Sequence, residues 1–265
     1  MRQTLDLDES GAQRIEAIYL TPEITHQRQD MLAALELRPG ERVLDVGTGP
    51  GFLAEAMAQA VGAAGQVCGI DFSVPVLELA RNRCRELPQV RFDGAEATRM
   101  PYPDDRFDAA IAAQVYEYIH DTQAALAELY RVLRPGGRAL LVDTDWGSLL
   151  WQTDDPVLTA RIMGVWCRNL SHPYLPRALA PALVRAGFAL SRRQALTLYC
   201  PEYSNCNYAH SLIRAIAETV AGRGGISQQE TEDWVRDLEG LGRRGEFFFS
   251  LNRYLFLVEK PRGKG

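Results

Sequence analysis

The 265-residue sequence lacks several features that would place it at once. It has no basic excess: 29 Lys+Arg stand against 34 Asp+Glu, a formal charge of −5. No broad positive field is therefore available to hold a polyanion, and nucleic acid is not expected as a partner. It has no cysteine framework either. Cys68, Cys84, Cys167, Cys200 and Cys206 are odd in number and scattered through a chain long enough to rely on an ordinary core, the usage expected of reduced thiols in a cytoplasmic protein. The opening MRQTLDLDES is polar and acidic, without the basic start and apolar middle of a secretory signal. No apolar run has bilayer length, because the stretch 247–258 is broken by Ser250, Asn252 and Arg253, so a long strand is expected there and no membrane span. Repeats and low-complexity linkers are absent too. What remains, 46% hydrophobic and 24% charged residues, is the composition of a globular chain with a full core, and it excludes disorder, collagen and coiled coil.

Within that composition the pattern is specific. Thr21-Pro22-Glu23 supplies a cap, a first-turn proline and an acid, predicting a helix from there to about residue 36, with an earlier helix around 12–20. Short apolar strands are then expected at 43–46, 67–71, 90–93, 109–113 and 139–143, with helices near 52–61, 74–87 and 123–133 between them. Ser73 and Asp121 are placed as N-caps, and Pro135-Gly136-Gly137 as the stop of the last helix. Strands apolar on both faces and alternating with helices predict an α/β domain with a mostly parallel sheet. After Trp146 the rhythm is lost until a helix at 176–186. Helix signals at 207–220 and 228–241, the latter opened by a Ser227/Glu230 capping box, separate two last strands at 189–199 and 247–259.

The most informative segment is Val43-Leu44-Asp45-Val46-Gly47-Thr48-Gly49-Pro50-Gly51-Phe52, a buried strand running into a glycine loop and a helix. Glycines at alternate positions let a ligand approach the backbone where the helix offers free N–H groups. The spacing is G-x-G-x-G, and a dinucleotide fold would want G-x-G-x-x-G. Asp45, two residues before the first glycine, would repel a pyrophosphate and attract an ammonium. Twenty residues past Gly51, the next strand ends on Asp71, suited to accept from both hydroxyls of a ribose. Ala95-Glu96-Ala97 follows the third strand, where a carboxylate can accept from an adenine amino group. Ribose, adenine and an ammonium together describe S-adenosyl-L-methionine.

Four stretches, VLDVGTGPG, GIDFS, EATRMPYPDDRFD and ELYRVLRPGGRALLVD, lie in this order between Arg38 and Asp145, about two-fifths of the chain. Through them the sequence resembles the class I S-adenosylmethionine-dependent methyltransferases, in particular the small-molecule group that includes ubiquinone and menaquinone biosynthesis enzymes (the type 11 methyltransferases). The resemblance implies a Rossmann-like, seven-stranded, mostly parallel sheet with helices on both faces and a helical substrate cap. It divides a single 1–265 domain into an N-terminal helical lid (1–36), a cofactor-binding core (37–146), cap insertions (147–175 and 205–245) and the last strands. It also assigns Asp45, Gly47 and Gly49 to the methionine end, Asp71 to the ribose, Phe72 to the adenine face, Glu96 and Ala97 to the adenine edge, and Gln114 to the methionine portion. The family commonly has Gly-Asp where Ala95-Glu96 stands, and the longer acid can still reach the amino group.

A sulfonium methyl is already activated, so the protein must chiefly hold a nucleophile in line, adding a base only where the acceptor cannot lose its own proton. Base candidates at the expected mouth are Glu117, His120, Asp143, Asp145, His172 and His210, with Asp145 and His172 taken as the catalytic pair. Arg28, on the first helix with Tyr19 before it, is expected over the cofactor carboxylate. Aromatics of the cap suit a flat or greasy small-molecule substrate. Two alternatives stand beside methyl transfer to carbon, oxygen or nitrogen. One is an arsenite or thiol-ligand methyltransferase using Cys167, Cys200 and Cys206, and the other a non-catalytic S-adenosylmethionine-binding subunit. No metal is expected, and the sequence leaves the oligomeric state open.

Overall fold

A computed structural model of the protein describes residue 11 and residues 16–263. Of the earlier helix expected at 12–20, residues 16–19 are helical and 12–15 lie outside the described residues, as do 1–10 of the expected lid. In chain order the elements are α1 (Pro22–Leu35), β1 (Arg42–Val46), α2 (Phe52–Val61), β2 (Gln66–Asp71), α3 (Val74–Arg83), β3 (Val90–Gly94), β4 (Phe107–Ala113), α4 (Thr122–Val132), β5 (Leu133–Thr144), β6 (Leu150–Trp151), α5 (Pro156–Cys167), α6 (Pro176–Arg185), β7 (Ala189–Cys200), α7 (Tyr208–Val220), α8 (Gln228–Arg244) and β8 (Phe249–Glu259). Single 3-10 turns at Tyr116–Tyr118 and Trp146–Ser148 follow β4 and β5.

The strands lie side by side in the order β3-β2-β1-β4-β5-β8, with β7 on the free edge of β8. The first five run parallel, and β8 is antiparallel to both β5 and β7. Chain order reverses between β1 and β4, so the loops leaving β1, β2, β4 and β5 open along one edge of the sheet, where open α/β folds bind ligands. Because β8 enters from the other direction, its first half reaches the same edge, and Arg253 stands in register with Thr144 at the end of β5.

Two buried clusters sandwich the sheet. On one face Val43, Ile111, Leu140, Val142 and Leu255 meet Met31 and Leu35 of α1 and Leu53 and Met57 of α2. On the other, Leu44, Ile70, Ala112, Leu141 and Phe256 meet Leu126 and Leu129 of α4 and Leu179 and Leu183 of α6. A third cluster is the cap, where Ile162 and Val165 of α5, Ile213 and Ile216 of α7 and Trp234 and Leu238 of α8 close over Trp146, Phe249 and Leu251. Among the described residues no helix is long and apolar enough to cross a membrane.

Several local expectations are corrected. Among the described residues the sheet has eight strands, the extra one being β6, two residues that continue along β8 beyond the end of β5. Helix α5 fills part of the expected cap insertion where no element was foreseen. It starts on Pro156 with the Asp155 carboxylate accepting from the Leu158 N–H at 2.9 Å. Pro135-Gly136-Gly137 belongs to β5, and α4 has already ended at Val132. Thr21 and Ser73 occupy N-cap positions without capping through their side chains, since the Thr21 hydroxyl donates back to the Ile18 carbonyl. Asp121 does cap, accepting from Ala124 N–H, and the Ser227/Glu230 box is formed in both directions.

Candidate active site

The glycine loop owes its course to backbone that other residues avoid. Gly47 and Gly49 have φ of +66° and +55°, a region open to glycine at no steric cost. A side chain at Gly47 would collide with Val115, and one at Gly49 would face the Tyr19 hydroxyl at 3.5 Å. The loop is thus pinned beneath the turn after β4 and beneath the N-terminal segment. The Gly49 N–H donates to Asp71 at 3.1 Å, and the other oxygen of that carboxylate accepts from Ser73 N–H at 3.0 Å, so the acid ending β2 is oriented from both sides. Phe72, beside it, is 50% exposed, unusual for a large apolar side chain and fitting for a face awaiting a flat partner. Ala95 N–H donates to the Asp71 carbonyl, which ties the loop carrying Glu96 and Ala97 to the same corner. The Glu96 carboxylate is exposed and accepts from the Thr98 hydroxyl at 3.3 Å.

Asp45 is buried and accepts from the Thr48 hydroxyl at 2.7 Å. Burial pushes its carboxyl up to about 7, with the nearby Asp71 adding to the rise and Thr48 opposing it. A group so poised becomes an anion readily when a cation arrives. Gln114, at the end of β4, has φ of +58°, a strained conformation for a residue with a side chain. Its N–H donates to the Val142 carbonyl at 2.6 Å and its amide reaches the Thr144 hydroxyl at 3.4 Å.

Arg28 lies where the N-terminal segment meets α2. Its guanidinium donates to the Tyr19 carbonyl and the Thr25 hydroxyl, both at 3.3 Å, and stands 4.9 Å from the Phe52 ring centre. Tyr19 stacks on the same ring, and Arg83 covers it while pairing with Glu16. Asp45, Gly47, Gly49, Asp71, Phe72 and Gln114 therefore converge on one edge, Glu96 and Ala97 stand at its corner, and Arg28 sits over the start of α2.

The two residues expected to be catalytic have other duties. Asp145 caps the turn Trp146–Ser148 by accepting from Gly147 N–H, and Arg177 donates to both of its oxygens at 2.8 and 2.9 Å. A carboxylate paired in this way fastens α6 to the end of β5 through charge-assisted bonds. His172 spends Nε2 on the His120 carbonyl at 3.2 Å, and its N–H donates to the Glu117 carbonyl. His210 is paired with the Tyr203 hydroxyl at 2.8 Å within the cap. Nor do the cysteines assemble a thiolate site. Cys200 donates to Glu23, Cys167 neighbours Tyr174, and Cys206 is exposed. Among the described residues no group of His, Cys, Asp and Glu can hold a metal ion.

A buried polar cluster behind the turn after β4 is what the sequence reading missed as a unit. Glu117 and Asp143 are both fully buried, and burial raises both carboxyl pKa values, Asp143 further because Glu117 stands beside it. Arg253, 1% exposed, donates to Gln27 at 2.7 Å and to the Tyr208 hydroxyl at 2.8 Å. The signal lay in alternation: Leu251, Arg253 and Leu255 share the buried phase of β8, so the arginine had to point inward. Tyr19 joins the two regions. Burial lifts its hydroxyl to about 12, and Arg253, Asp45, Asp71 and Tyr208 all act on it.

Residues 43–137 match a family model described as a methyltransferase domain. The chain is 32% identical over 230 residues to an uncharacterised protein carried on a transposon of Streptomyces fradiae, covering 86% of this chain and 65% of that one. It is 40% identical over 109 residues to a 2-phytyl-1,4-naphtoquinone methyltransferase of Synechococcus elongatus, 40% of this chain and 47% of the relative. A demethylmenaquinone methyltransferase of Thermus thermophilus matches at 40% over 118 residues, 44% and 53% of the two chains. The chain thus spans about half the length of these two named enzymes. Among solved structures, a putative methyltransferase of Bacillus halodurans superposes with a TM-score of 0.65 at 20% identity, covering 89% and 99% of the two chains. The cyclase SpnF does so at 0.62 and 24% identity, covering 91% and 82%. Both likenesses are of fold.

Proposed function

We propose, from the match of residues 43–137 to a methyltransferase domain, that this protein is a class I S-adenosylmethionine-dependent enzyme that moves a methyl group from S-adenosyl-L-methionine to a hydroxylated aromatic small molecule. The observation that carries the donor half is the Asp71 carboxylate, held by Gly49 N–H from the glycine loop and by Ser73 N–H. That geometry leaves its remaining lone pairs for the paired hydroxyls of a ribose. Phe72 then offers the adenine a face, Glu96 and Ala97 its edge, Asp45 and Gln114 the methionine ammonium, and Arg28 the carboxylate. The donor supplies an activated methyl, and the chain's own work is to hold an acceptor in line at about 3 Å and exclude water.

The acceptor class is read from the other half. Tyr19, Tyr118, Tyr208 and Trp146 surround the polar cluster where the turn after β4 meets β8, apolar faces with hydroxyl and indole tips. Such a lining suits a flat ring bearing oxygen, and the naphthoquinone and menaquinone named in two relatives are molecules of that kind. Those relatives align only with the donor half, so the argument for the acceptor rests on the cap. The experiment is calorimetry with S-adenosylhomocysteine and with NAD. Saturable micromolar binding of the first and no heat from the second are expected, and the reverse would remove the reading.

A further inference from the structure

Glu117 has one carboxylate oxygen fixed and one free. Its Oε2 accepts from the Thr144 N–H and from Trp146 Nε1–H, both at 3.2 Å, and its own N–H donates to Asp143 Oδ1 at 3.2 Å. Oε1 has no hydrogen-bond partner among the described residues, although the residue is 0% exposed. A buried polar atom left unsatisfied is costly, and native folds keep one where something else completes it. No hydrogen bond from Arg253 fills it, because the two Nη atoms go to Gln27 and Tyr208, although the guanidinium charge acts on the carboxyl.

The residue stands close to the glycine loop. Val115, two residues earlier, packs over Gly47, and Tyr118, the next residue, lies beside Tyr19, which faces Gly49. The groups acting on the carboxyl come from every side: Asp143 on β5, Arg253 on β8, Tyr118 on its own turn, Tyr208 on α7, and Cys167 on α5. Burial opposes its ionisation, while Arg253, the bonds from Thr144 and Trp146 and, least, the nearby Tyr118 hydroxyl favour it. A carboxyl balanced in this way can take up a proton near neutral pH and release it again.

Resting on the methyl-transfer reading above, we propose that Glu117 Oε1 is the base that removes the hydroxyl proton of a phenol or quinol acceptor, with Trp146 as the positioning residue that aims the carboxylate. The acceptor's O–H bond breaks and its proton goes to Oε1. The electron pair left on oxygen, shared with the ring, forms the new bond to the methyl carbon from the oxygen or from the adjacent ring carbon. The methyl–sulfur bond breaks with its pair to sulfur, leaving neutral S-adenosylhomocysteine. For attack through carbon, the ring hydrogen then leaves as a proton to solvent and aromaticity returns. Glu117 gives up its own proton to water when the product leaves.

The test uses the full chain with naphthohydroquinone and catechol as probes. Glu117→Gln is expected to lower kcat at least a hundredfold near pH 7 while leaving S-adenosylhomocysteine affinity within twofold. The deficit is expected to shrink at least tenfold once the pH is high enough for the probe hydroxyl to ionise unaided. Trp146→Phe, which keeps the ring and removes the N–H, is expected to move the acid limb of the kcat profile upward by about 0.5–1 pH unit. A deficit that is the same at every pH, or an unmoved acid limb in a folded Trp146→Phe protein, overturns the proposal. Wild-type protein that binds S-adenosylhomocysteine yet methylates neither probe overturns it too, leaving the donor reading intact. Failure to bind S-adenosylhomocysteine brings down the methyl-transfer reading itself.

Discussion

The proposed donor side and the proposed acceptor side of this molecule are built in different ways. Around the glycine loop the chemistry resides in the backbone: three glycines at positive φ, an N–H given to Asp71, and acids at strand ends that already have bonds. Across the site, side chains contributed by α1, β5, β8, α7 and two turns meet, and three of their atoms, Glu117 Oε1, Asp143 Oδ2 and Arg253 Nε, have no partner among the described residues. A backbone-built site suits a constant ligand, whereas a side-chain-built one can be re-cut for a new acceptor without disturbing the sheet. The fold shared with the cyclase SpnF makes the same point, since the sheet alone does not choose the reaction.

That contrast can be broken experimentally. The largest effect is expected from Arg253→Met, which leaves Gln27 and Tyr208 without their partner and Glu117 without its nearby cation. A loss of about 3 kcal/mol in unfolding free energy is expected in denaturant titration, with S-adenosylhomocysteine affinity changed less than twofold. Weakened cofactor binding without loss of stability would show the two sides to be one. Next, Asp71→Ala is expected to weaken S-adenosylhomocysteine binding at least tenfold, about 1.4 kcal/mol, and to leave stability almost unchanged. Unaltered affinity would remove the ribose assignment.

A smaller effect is expected from pH. Asp45 has its folded pKa raised to about 7 from 3.8, so the folded state retains a proton that the unfolded state has lost. Its contribution to stability is therefore fully present below about pH 4 and is lost as the pH rises through about 7. Asp45→Asn should flatten that part of the melting-temperature profile. If the Asp45 carboxylate receives the methionine ammonium, S-adenosylhomocysteine should also bind severalfold more tightly at pH 8 than at pH 6 in the wild type and equally in the variant. A pH-independent affinity in the wild type would separate Asp45 from the ammonium.

The donor side was legible because its rules are local. The aspartate cap and the capping box lie within a few residues of what they bond, and the G-x-G-x-G turn and the acid that ends the next strand are joined across a single crossover of 22 residues. Asp145 shows the converse. It stands directly after β5 as expected, but its pairing with Arg177, 32 residues away, depends on where α6 docks. Arg253 meets Gln27 across 226 residues of sequence, and only the pairing of β8 with β5 brings it to the site. Helix α5 and the two-residue β6 are fixed by packing within the cap, whose aromatics carry no period of their own. Trp151, for one, is held by Trp234, Phe247 and Phe249 together.

The central claim is methyl transfer to a small acceptor, and incubation of the protein with methyl-labelled S-adenosylmethionine and a fractionated metabolite extract tests it most directly. The account predicts label in a low-molecular-weight hydroxylated aromatic, with stoichiometric S-adenosylhomocysteine. Label that stays on the donor, although the protein binds it, would contradict the account.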